Sequence, residues 1–283
     1  MKIIEMKIID THQHLWDLDR LSYSWTKNRP PLNRSFRMAD YLAATSGLEI
    51  DQTVHLEADV DEPDMLGETK YIFALAEHDD NPLAGVVACA RPEHAHFENY
   101  LKQILHPNLK GVRRVLHCVP DETSETPGFV ENIRLLEKYH LSFDLCVLAR
   151  QLPLAIRLVR ECPNVQFILD HCGNPLVKEK TLEPWRAWIK ELASYPNVVC
   201  KISGIVTNAD ADNWTPEDLR PYVNDVIETF GWDRVMFGSD WPVCTLASDY
   251  QRWVEALMTL TSAAGIEHQA KLFRENAQRI YRL

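Results

Sequence analysis

A regular alternation of short β-rich runs with longer helical segments constrains the fold of this sequence more than any other feature. Eight runs are rich in apolar and β-branched residues, which is the pattern of buried strands. The predicted strands are Lys7–His12, Thr53–Ala58, Gly85–Ala90, Gly111–Leu116, Ser142–Val147, Val165–Asp170, Val198–Ser203 and Val235–Ser239. Strands that alternate with helices pair in parallel through right-handed crossovers, so the pattern predicts an α/β fold.

The segments between these strands carry apolar residues at helical spacing. The predicted helical segments are Met65–His78, Phe129–His140, Leu152–Glu161, Leu182–Ser194, Pro216–Phe230 and Asp249–Ala263. Eight strand-to-helix units in 283 residues fit a closed TIM-type (β/α)₈ barrel, which takes about 250 residues. We therefore predict a single domain over residues 1–283. No Gly-x-Gly-x-x-Gly motif follows the first predicted strand, which counts against a dinucleotide-binding fold.

Charge and composition narrow the classes of partner. The sequence has 30 Lys and Arg against 41 Asp and Glu, a formal net charge of −11, which disfavours nucleic acid as a partner. No apolar stretch is long enough to span a bilayer, and the N-terminus lacks the pattern of a signal peptide. The seven widely spaced cysteines predict reduced thiols in a cytoplasmic protein.

The ends of the first and last predicted strands carry the strongest candidates for chemistry. His12 and His14 are two residues apart, so in extended backbone both face the same side of the strand. Asp240 follows the last strand, and the barrel seam would bring its carboxylate opposite these imidazoles. A carboxylate beside histidines is suited to activating water. We predict Asp240 as a general base, with His12 and His14 assisting.

The other strands deliver further polar side chains to the same end of the barrel. Glu57 is predicted to accept hydrogen bonds from substrate hydroxyls. Arg113 and Arg114 point to opposite sides of the fourth strand, so one of them is predicted to point inward, toward a carbonyl, a carboxylate or a developing oxyanion, and the other to lie on the surface. His171 lies in a tight loop after the sixth strand and is predicted to be catalytic. Lys201, on the seventh strand, is predicted to contact the substrate.

Aromatic residues cluster near this end of the barrel. Trp25 and Trp241 are predicted to bind the substrate, since tryptophan rings stack on sugar rings. Trp25 belongs to a long excursion after the first strand, Asp17–Ala44, which is interpreted as either a lid or part of the pocket wall.

Four motifs together resemble the amidohydrolase superfamily, and within it the branch of sugar-acid lactonases and pyrone dicarboxylate lactonases. The motifs are Asp10-Thr11-His12-Gln13-His14, Asp170-His171-Cys172-Gly173, Gly238-Ser239-Asp240-Trp241-Pro242 and Glu275-Asn276-Ala277-Gln278-Arg279. The resemblance runs over essentially the whole chain. It implies hydrolysis of a lactone ring, with Asp240 as the base, His171 as a proton shuttle or substrate contact, and Arg113 on a substrate oxygen.

The sequence departs from the metal-dependent members of that superfamily. They place a histidine or a bridging lysine on the middle strands, whereas the fifth strand here offers Asp144 and Cys146. At most one zinc ion would then be held, by His12, His14 and Asp240, with His171 nearby. The branch also includes enzymes that work without metal. We expect a site that requires no cofactor, and zinc occupancy is left open.

Other functions stay open on this evidence. The chain could be a lactonase for a dicarboxylate such as 2-pyrone-4,6-dicarboxylate, which would need several inward cations. It could be a metal-dependent decarboxylase of an aromatic or muconate acid on the same scaffold, or a barrel that only binds a ligand. The predicted partner is a small-molecule lactone, and assembly into a homo-oligomer is left open.

Overall fold

The computed structural model describes residues 6–283. The first five residues were included in the predicted domain and in the prediction that no signal peptide is present. They lie outside the described part of the chain. Eight parallel strands pair in sequence order in one sheet. They are β1 (Lys7–Gln13), β2 (Glu49–Leu56), β3 (Leu83–Cys89), β4 (Leu109–Val115), β5 (Ser142–Cys146), β6 (Phe167–Leu169), β7 (Val198–Ile202) and β8 (Val235–Phe237). The predicted barrel fold is confirmed.

Helices pack around this sheet. They are α1 (Met38–Ala44), α2 (Met65–Ala76), α3 (Phe97–Ile104), α4 (Pro127–Lys138), α5 (Leu152–Glu161), α6 (Trp185–Ala193), α7 (Pro216–Phe230), α8 (Tyr250–Thr261), α9 (Ile266–Ala270) and α10 (Asn276–Tyr281). The sequence analysis missed α1, α3, α9 and α10, and it placed each strand correctly but misjudged strand ends. None of the helices formed by residues 6–283 has the length and apolar character to cross a membrane.

The barrel closes through the backbone that continues β1 and β8. The Asp240 N–H donates to the His12 carbonyl at 2.8 Å, and the His14 N–H donates to the Trp241 carbonyl at 2.8 Å. These two hydrogen bonds hold the segment after β8 alongside the end of β1. The seam therefore places the Asp240 carboxylate next to both histidines, as the sequence analysis required.

The buried carboxylate of Asp10 holds the two sides of this seam together. Asp10 accepts hydrogen bonds from the Ser239 N–H at 2.8 Å and the Ser239 hydroxyl at 2.6 Å. The hydroxyl of Tyr41 donates to the same carboxylate at 3.0 Å, and that of Tyr250 lies at 3.2 Å. Asp10 is fully buried, so these donors replace the water it loses. These hydrogen bonds fix the residue that precedes Asp240.

The lower half of the barrel interior is apolar. Its buried side chains form one cluster, composed of Ile9, Val54, Leu56, Val87, Ile168, Val199, Met236, Ala277 and Tyr281. Ala277 and Tyr281 belong to α10, so the C-terminal helix closes the bottom of the barrel. The predicted catalytic side chains lie above this floor, toward the C-terminal ends of the strands.

The segment Asp17–Ala44 packs as a wall beside the seam. The ring of Phe36 lies 5.5 Å from the ring of Trp241, and the ring of Tyr41 lies 5.4 Å from it, both in edge-on contact. Arg37 also binds Asp17 at 2.8 Å, which ties the two ends of the segment together. Of the two interpretations offered for this segment, these contacts favour a wall.

Candidate active site

Four predicted side chains converge at the C-terminal end of the barrel. His14 Nε2 lies 3.3 Å from Asp240 Oδ1, and His12 Nε2 lies 3.7 Å from the same oxygen. The rings of His12 and His171 are 4.4 Å apart between centroids. None of the four residues is more than 8% exposed. The structure therefore gathers His12, His14, His171 and Asp240 into one enclosed centre.

Strained backbone and close glycines shape this centre. His171 and Asp240 have φ values of 54° and 58°, in the left-handed region that costs non-glycine residues on the order of 1–3 kcal/mol. Gly204 also has positive φ, at 62°, and a Cβ there would lie 2.4 Å from His171 Nδ1. A Cβ at Gly238 would lie 2.7 Å from the Cβ of His12. Only glycine at these two positions lets the histidine rings stay where they are.

Hydrogen bonds fix the orientation of two imidazoles. His14 Nδ1 lies 2.9 Å from the Leu56 carbonyl, which can only accept, so Nδ1 carries the proton. In the neutral ring, the lone pair of His14 Nε2 then faces Asp240. His171 Nδ1 lies 2.9 Å from the Ser203 hydroxyl, so its other nitrogen is left for the centre. Burial lowers the pKa of His171, which favours the neutral ring.

Arg113 occupies the inner position, as the family resemblance implied. Its Nε donates to Glu57 Oε1 at 2.7 Å, its Nη2 donates to the Glu57 carbonyl at 2.6 Å, and its Nη1 lies 3.3 Å from Asp170 Oδ2. Burial alone would raise the pKa of Glu57, but the guanidinium outweighs it and lowers that pKa. Arg114 points outward and binds Glu93 at 2.8 Å.

Glu57 and Lys201 lie at the centre but do not reach the pocket surface. Glu57 is 1% exposed, and its second carboxylate oxygen accepts from the Asp59 N–H at 2.6 Å. Both of its oxygens are therefore bound by protein donors rather than left for sugar hydroxyls. Lys201 has no exposed surface, because its position on β7 lies one layer below the pocket. The geometry does not support the predicted substrate contact for either residue.

Trp25 and Trp241 differ in how much ring surface is left to stack on a substrate. Trp241 is 3% exposed, since the aromatic residues of the wall cover its ring, and this leaves little surface for stacking on a sugar. Trp25 is partly exposed, and its indole N–H donates to the Ala58 carbonyl at 2.8 Å. Trp25 is therefore the better placed of the two predicted stacking residues.

Asp170 is a member of the centre whose role the sequence analysis did not identify. The structure places its Oδ1 3.3 Å from His12 Nδ1. Burial would raise the pKa of Asp170, but Lys201, His12 and Arg113 together hold it well below its usual range. Burial also holds the pKa of His12 well below its usual value. The pair is therefore a carboxylate beside a neutral imidazole.

The donor atoms of the centre fit a divalent cation. His12, His171 and Asp240 each offer one ligand atom, and these atoms lie within 4.8 Å of one another. His14 Nε2 also faces Asp240 with a lone pair. Because the lone pairs of acceptor nitrogens repel a carboxylate, these atoms need a shared proton or a cation between them. Histidine nitrogens and a carboxylate are typical ligands of catalytic zinc. The group of converging ligand atoms contains His171, whereas the sequence prediction had His14 as the third ligand.

Histidines and an aspartate from the first, sixth and eighth strands, gathered at the C-terminal end of a (β/α)₈ barrel, define an enzyme active site in the usual place for this fold. The chain belongs to the amidohydrolase family, whose model matches residues 9–283. The predicted superfamily resemblance is thereby confirmed.

Individual relatives cover almost the whole chain. An uncharacterised protein of Sinorhizobium fredii is 32% identical over 299 aligned residues, with 99% of each chain covered. An L-fucono-1,5-lactonase of Burkholderia ambifaria is 29% identical, with 97% of this chain and 95% of the relative covered. A solved amidohydrolase of Burkholderia multivorans with bound zinc superposes with a TM-score of 0.88 at 28% identity, covering 98% of this chain and 99% of that one.

Proposed function

We propose that this protein hydrolyses the ester ring of a sugar-acid lactone. The observation that carries the proposal is the placement of the Asp240 carboxylate against His12 and His14 at the end of the barrel, which suits a base that activates water. The likeness to L-fucono-1,5-lactonases over nearly the full length supports the choice of substrate.

In the proposed reaction, Asp240 takes a proton from water as the water oxygen bonds to the lactone carbonyl carbon. The bond from that carbon to the ring oxygen then breaks, and the proton passes to the departing oxygen with His171 as relay. The product is an open-chain hydroxy acid. A divalent cation held by His12, His171 and Asp240 would polarise the carbonyl and acidify the water when bound.

Arg113 is proposed to stabilise the charge that develops on the carbonyl oxygen. Its contacts with Glu57, Asp170 and His12 use four of its five N–H hydrogens, so one Nη2 hydrogen is left. A guanidinium held rigidly by these contacts stabilises an oxyanion without having to reorganise.

The charge balance favours a neutral lactone over a dicarboxylate. The sequence analysis noted that a dicarboxylate would need several inward cations. Among the described residues, Arg114 faces outward, Lys201 is buried between carboxylates, and Arg113 is balanced by Glu57 and Asp170. None of these three cations is left uncommitted for a second carboxylate.

A panel of lactones followed at constant pH tests the proposal. L-fucono-1,5-lactone, an L-rhamnonolactone and 2-pyrone-4,6-dicarboxylate are compared, with spontaneous hydrolysis measured and subtracted for each. We expect turnover of the sugar lactones and little of the dicarboxylate. Turnover of the dicarboxylate alone would overturn the substrate assignment. Decarboxylation of an aromatic acid that is abolished by a chelator would favour the decarboxylase instead.

A further inference from the structure

A fully buried ion-pair network lies directly beneath the catalytic centre. Lys201 Nζ lies 2.6 Å from Asp144 Oδ2 and 3.2 Å from Asp170 Oδ1, and none of the three side chains has exposed surface. The Tyr281 hydroxyl, from the C-terminal helix, donates to Asp144 at 3.2 Å. The proposed reaction assigns no role to Lys201, Asp144 or Tyr281.

The strand order creates this network. Asp144 lies on β5, Asp170 directly follows β6 and Lys201 lies on β7, so neighbouring strands project the three side chains inward in one row. Without Lys201, two buried carboxylates would share one site and repel each other. The ammonium between them allows Asp170 to remain a carboxylate.

Asp170 connects this row to the catalytic imidazole. Its Oδ1 faces both Lys201 and His12 Nδ1, while its Oδ2 lies 3.3 Å from Arg113 Nη1. Held on two sides by cations, the carboxylate keeps its negative charge 3.3 Å from His12 Nδ1. That negative charge favours the proton on Nδ1 and leaves Nε2 as an acceptor, 3.3 Å from Arg113 Nη1 and 3.7 Å from Asp240 Oδ1.

Stability alone does not account for these charges. Replacing a buried ion pair by apolar residues of similar volume is often neutral or stabilising. The layer directly below consists of apolar side chains such as Ile168, Val199 and Met236, so apolar residues would extend this floor naturally. A row of buried charges in that position is better explained by its effect on the catalytic side chains directly above it.

We infer that Lys201, together with Asp144, is a positioning residue that acts through Asp170 to set the tautomer and orientation of His12. The inference rests on the proposed function in that His12 is taken to be catalytic. It predicts that loss of Lys201 impairs the chemical step much more than substrate binding.

The test compares Lys201→Met, the double variant Lys201→Met/Asp144→Asn and Asp144→Asn with the wild type. We expect kcat to fall by about 10- to 100-fold while KM changes by less than about threefold, the range found for partners that orient catalytic ligands. Lys110→Met, at the opposite end of the barrel, is the matched lysine control. Val87→Ala in the apolar floor controls for loss of stability, because it alters packing without altering charge.

A spectroscopic measurement separates this inference from the proposed function. In protein labelled with ¹⁵N-histidine, the ring signals of His12, assigned by comparison with His12→Asn, report which nitrogen carries the proton. We expect the wild type to carry it on Nδ1 and the Lys201 variants to lose that preference. Unchanged His12 signals and unchanged kcat in folded variants would overturn the inference. If the wild type hydrolyses no lactone, the proposed function fails, but the ring signals of His12 still test the inference about Lys201.

Asp144→Asn keeps the test decisive if removing the lysine prevents folding. It is isosteric and leaves Lys201 paired with Asp170 alone, which draws the carboxylate away from His12. A folded Asp144→Asn variant with wild-type kcat and wild-type His12 signals would count against the inference.

Discussion

His14 Nε2 and Asp240 Oδ1 lie 3.3 Å apart, and both atoms are acceptors as the hydrogen bonds arrange them. The Leu56 carbonyl holds the ring proton of His14 on the far side, so no hydrogen of the neutral ring points at the carboxylate. A proton or a cation must therefore come between them. Water activation and metal binding at this centre both depend on Asp240 for this reason.

Replacing Asp240 by asparagine tests the assignment of the base. The amide keeps the shape but cannot take a proton from water, and loss of a general base typically costs 10²–10⁴-fold, so we expect kcat to fall by at least about 100-fold. Asp79→Asn, on the exposed loop between α2 and β3, is the matched control and should retain wild-type kinetics. Lactone hydrolysis by the Asp240→Asn variant at the wild-type rate would remove Asp240 from the mechanism.

Zinc uptake tests the donor set directly. Protein freed of metal by a chelator and dialysis should bind one equivalent of Zn²⁺, since His12, His171 and Asp240 converge within 4.8 Å. We expect His171→Asn to weaken binding by at least about tenfold, because the site loses a nitrogen ligand. Calorimetry and elemental analysis give affinity and stoichiometry, and His94→Asn on the surface is the control. Equal affinity in both variants would place the metal elsewhere.

The positions of the strands could be predicted from sequence because the barrel buries them as continuous apolar runs. The errors in the predicted elements lie where the run of apolar residues is short or interrupted by polar ones. β2 begins at Glu49 rather than Thr53, since three of its first four residues are polar and none of the four is buried, yet they pair with β1. α3 was missed although Phe97, Leu101 and Ile104 form a buried face, because the helix is short.

The catalytic cluster was predictable for a similar reason: each member ends a strand, and parallel strands in a barrel deliver their ends to one place. What the sequence could not indicate is how deep each side chain lies and what it binds. Lys201 and Glu57 end their strands like the others but are fully paired inside. Their partners, among them Asp144 and Asp170, come from other strands far away in sequence.

The ion pair of Glu57 with Arg113 should contribute strongly to stability. Glu57→Gln would leave the buried guanidinium without its main counter-charge, and breaking a buried pair costs about 3–5 kcal/mol. We expect chemical denaturation to register a loss of that order. Glu217→Gln, which breaks an exposed pair with Arg220, should cost far less, because water screens that pair. Similar losses in the two variants would mean that the Arg113 pair is solvated in solution.

Glu68 should make stability fall as pH rises. Burial and the neighbouring Glu57 raise the pKa of Glu68 from 4.5 to about 8 in the folded protein. Below about pH 4.5 the carboxyl is protonated in both states. Between about pH 4.5 and 8 only the unfolded state releases the proton, so raising the pH favours unfolding through this group.

Glu68→Gln isolates that contribution. The amide oxygen can still accept from the Tyr23 hydroxyl and the Ala58 N–H, as Glu68 Oε1 does, and the side chain can no longer ionise. We expect the Tm of the variant to match that of the wild type near pH 4.5 and to exceed it increasingly up to about pH 8. A difference in Tm that does not change with pH would contradict the raised pKa.

Gly204 provides a test of how tightly His171 must be held. In Gly204→Ala, the new Cβ would lie 2.4 Å from His171 Nδ1 on a backbone with φ of 62°. The left-handed conformation costs about 1–2 kcal/mol for a non-glycine residue, and the clash must in addition displace the ring from Ser203. We therefore expect both a lower Tm and a lower kcat. Gly128→Ala, whose Cβ meets nothing within 4 Å near the start of α4, should keep kcat and leave Tm equal or higher. If Gly204→Ala lowers Tm but leaves kcat unchanged, His171 tolerates displacement and cannot be the proton relay, because a relay has to stay within hydrogen-bonding reach of the departing oxygen.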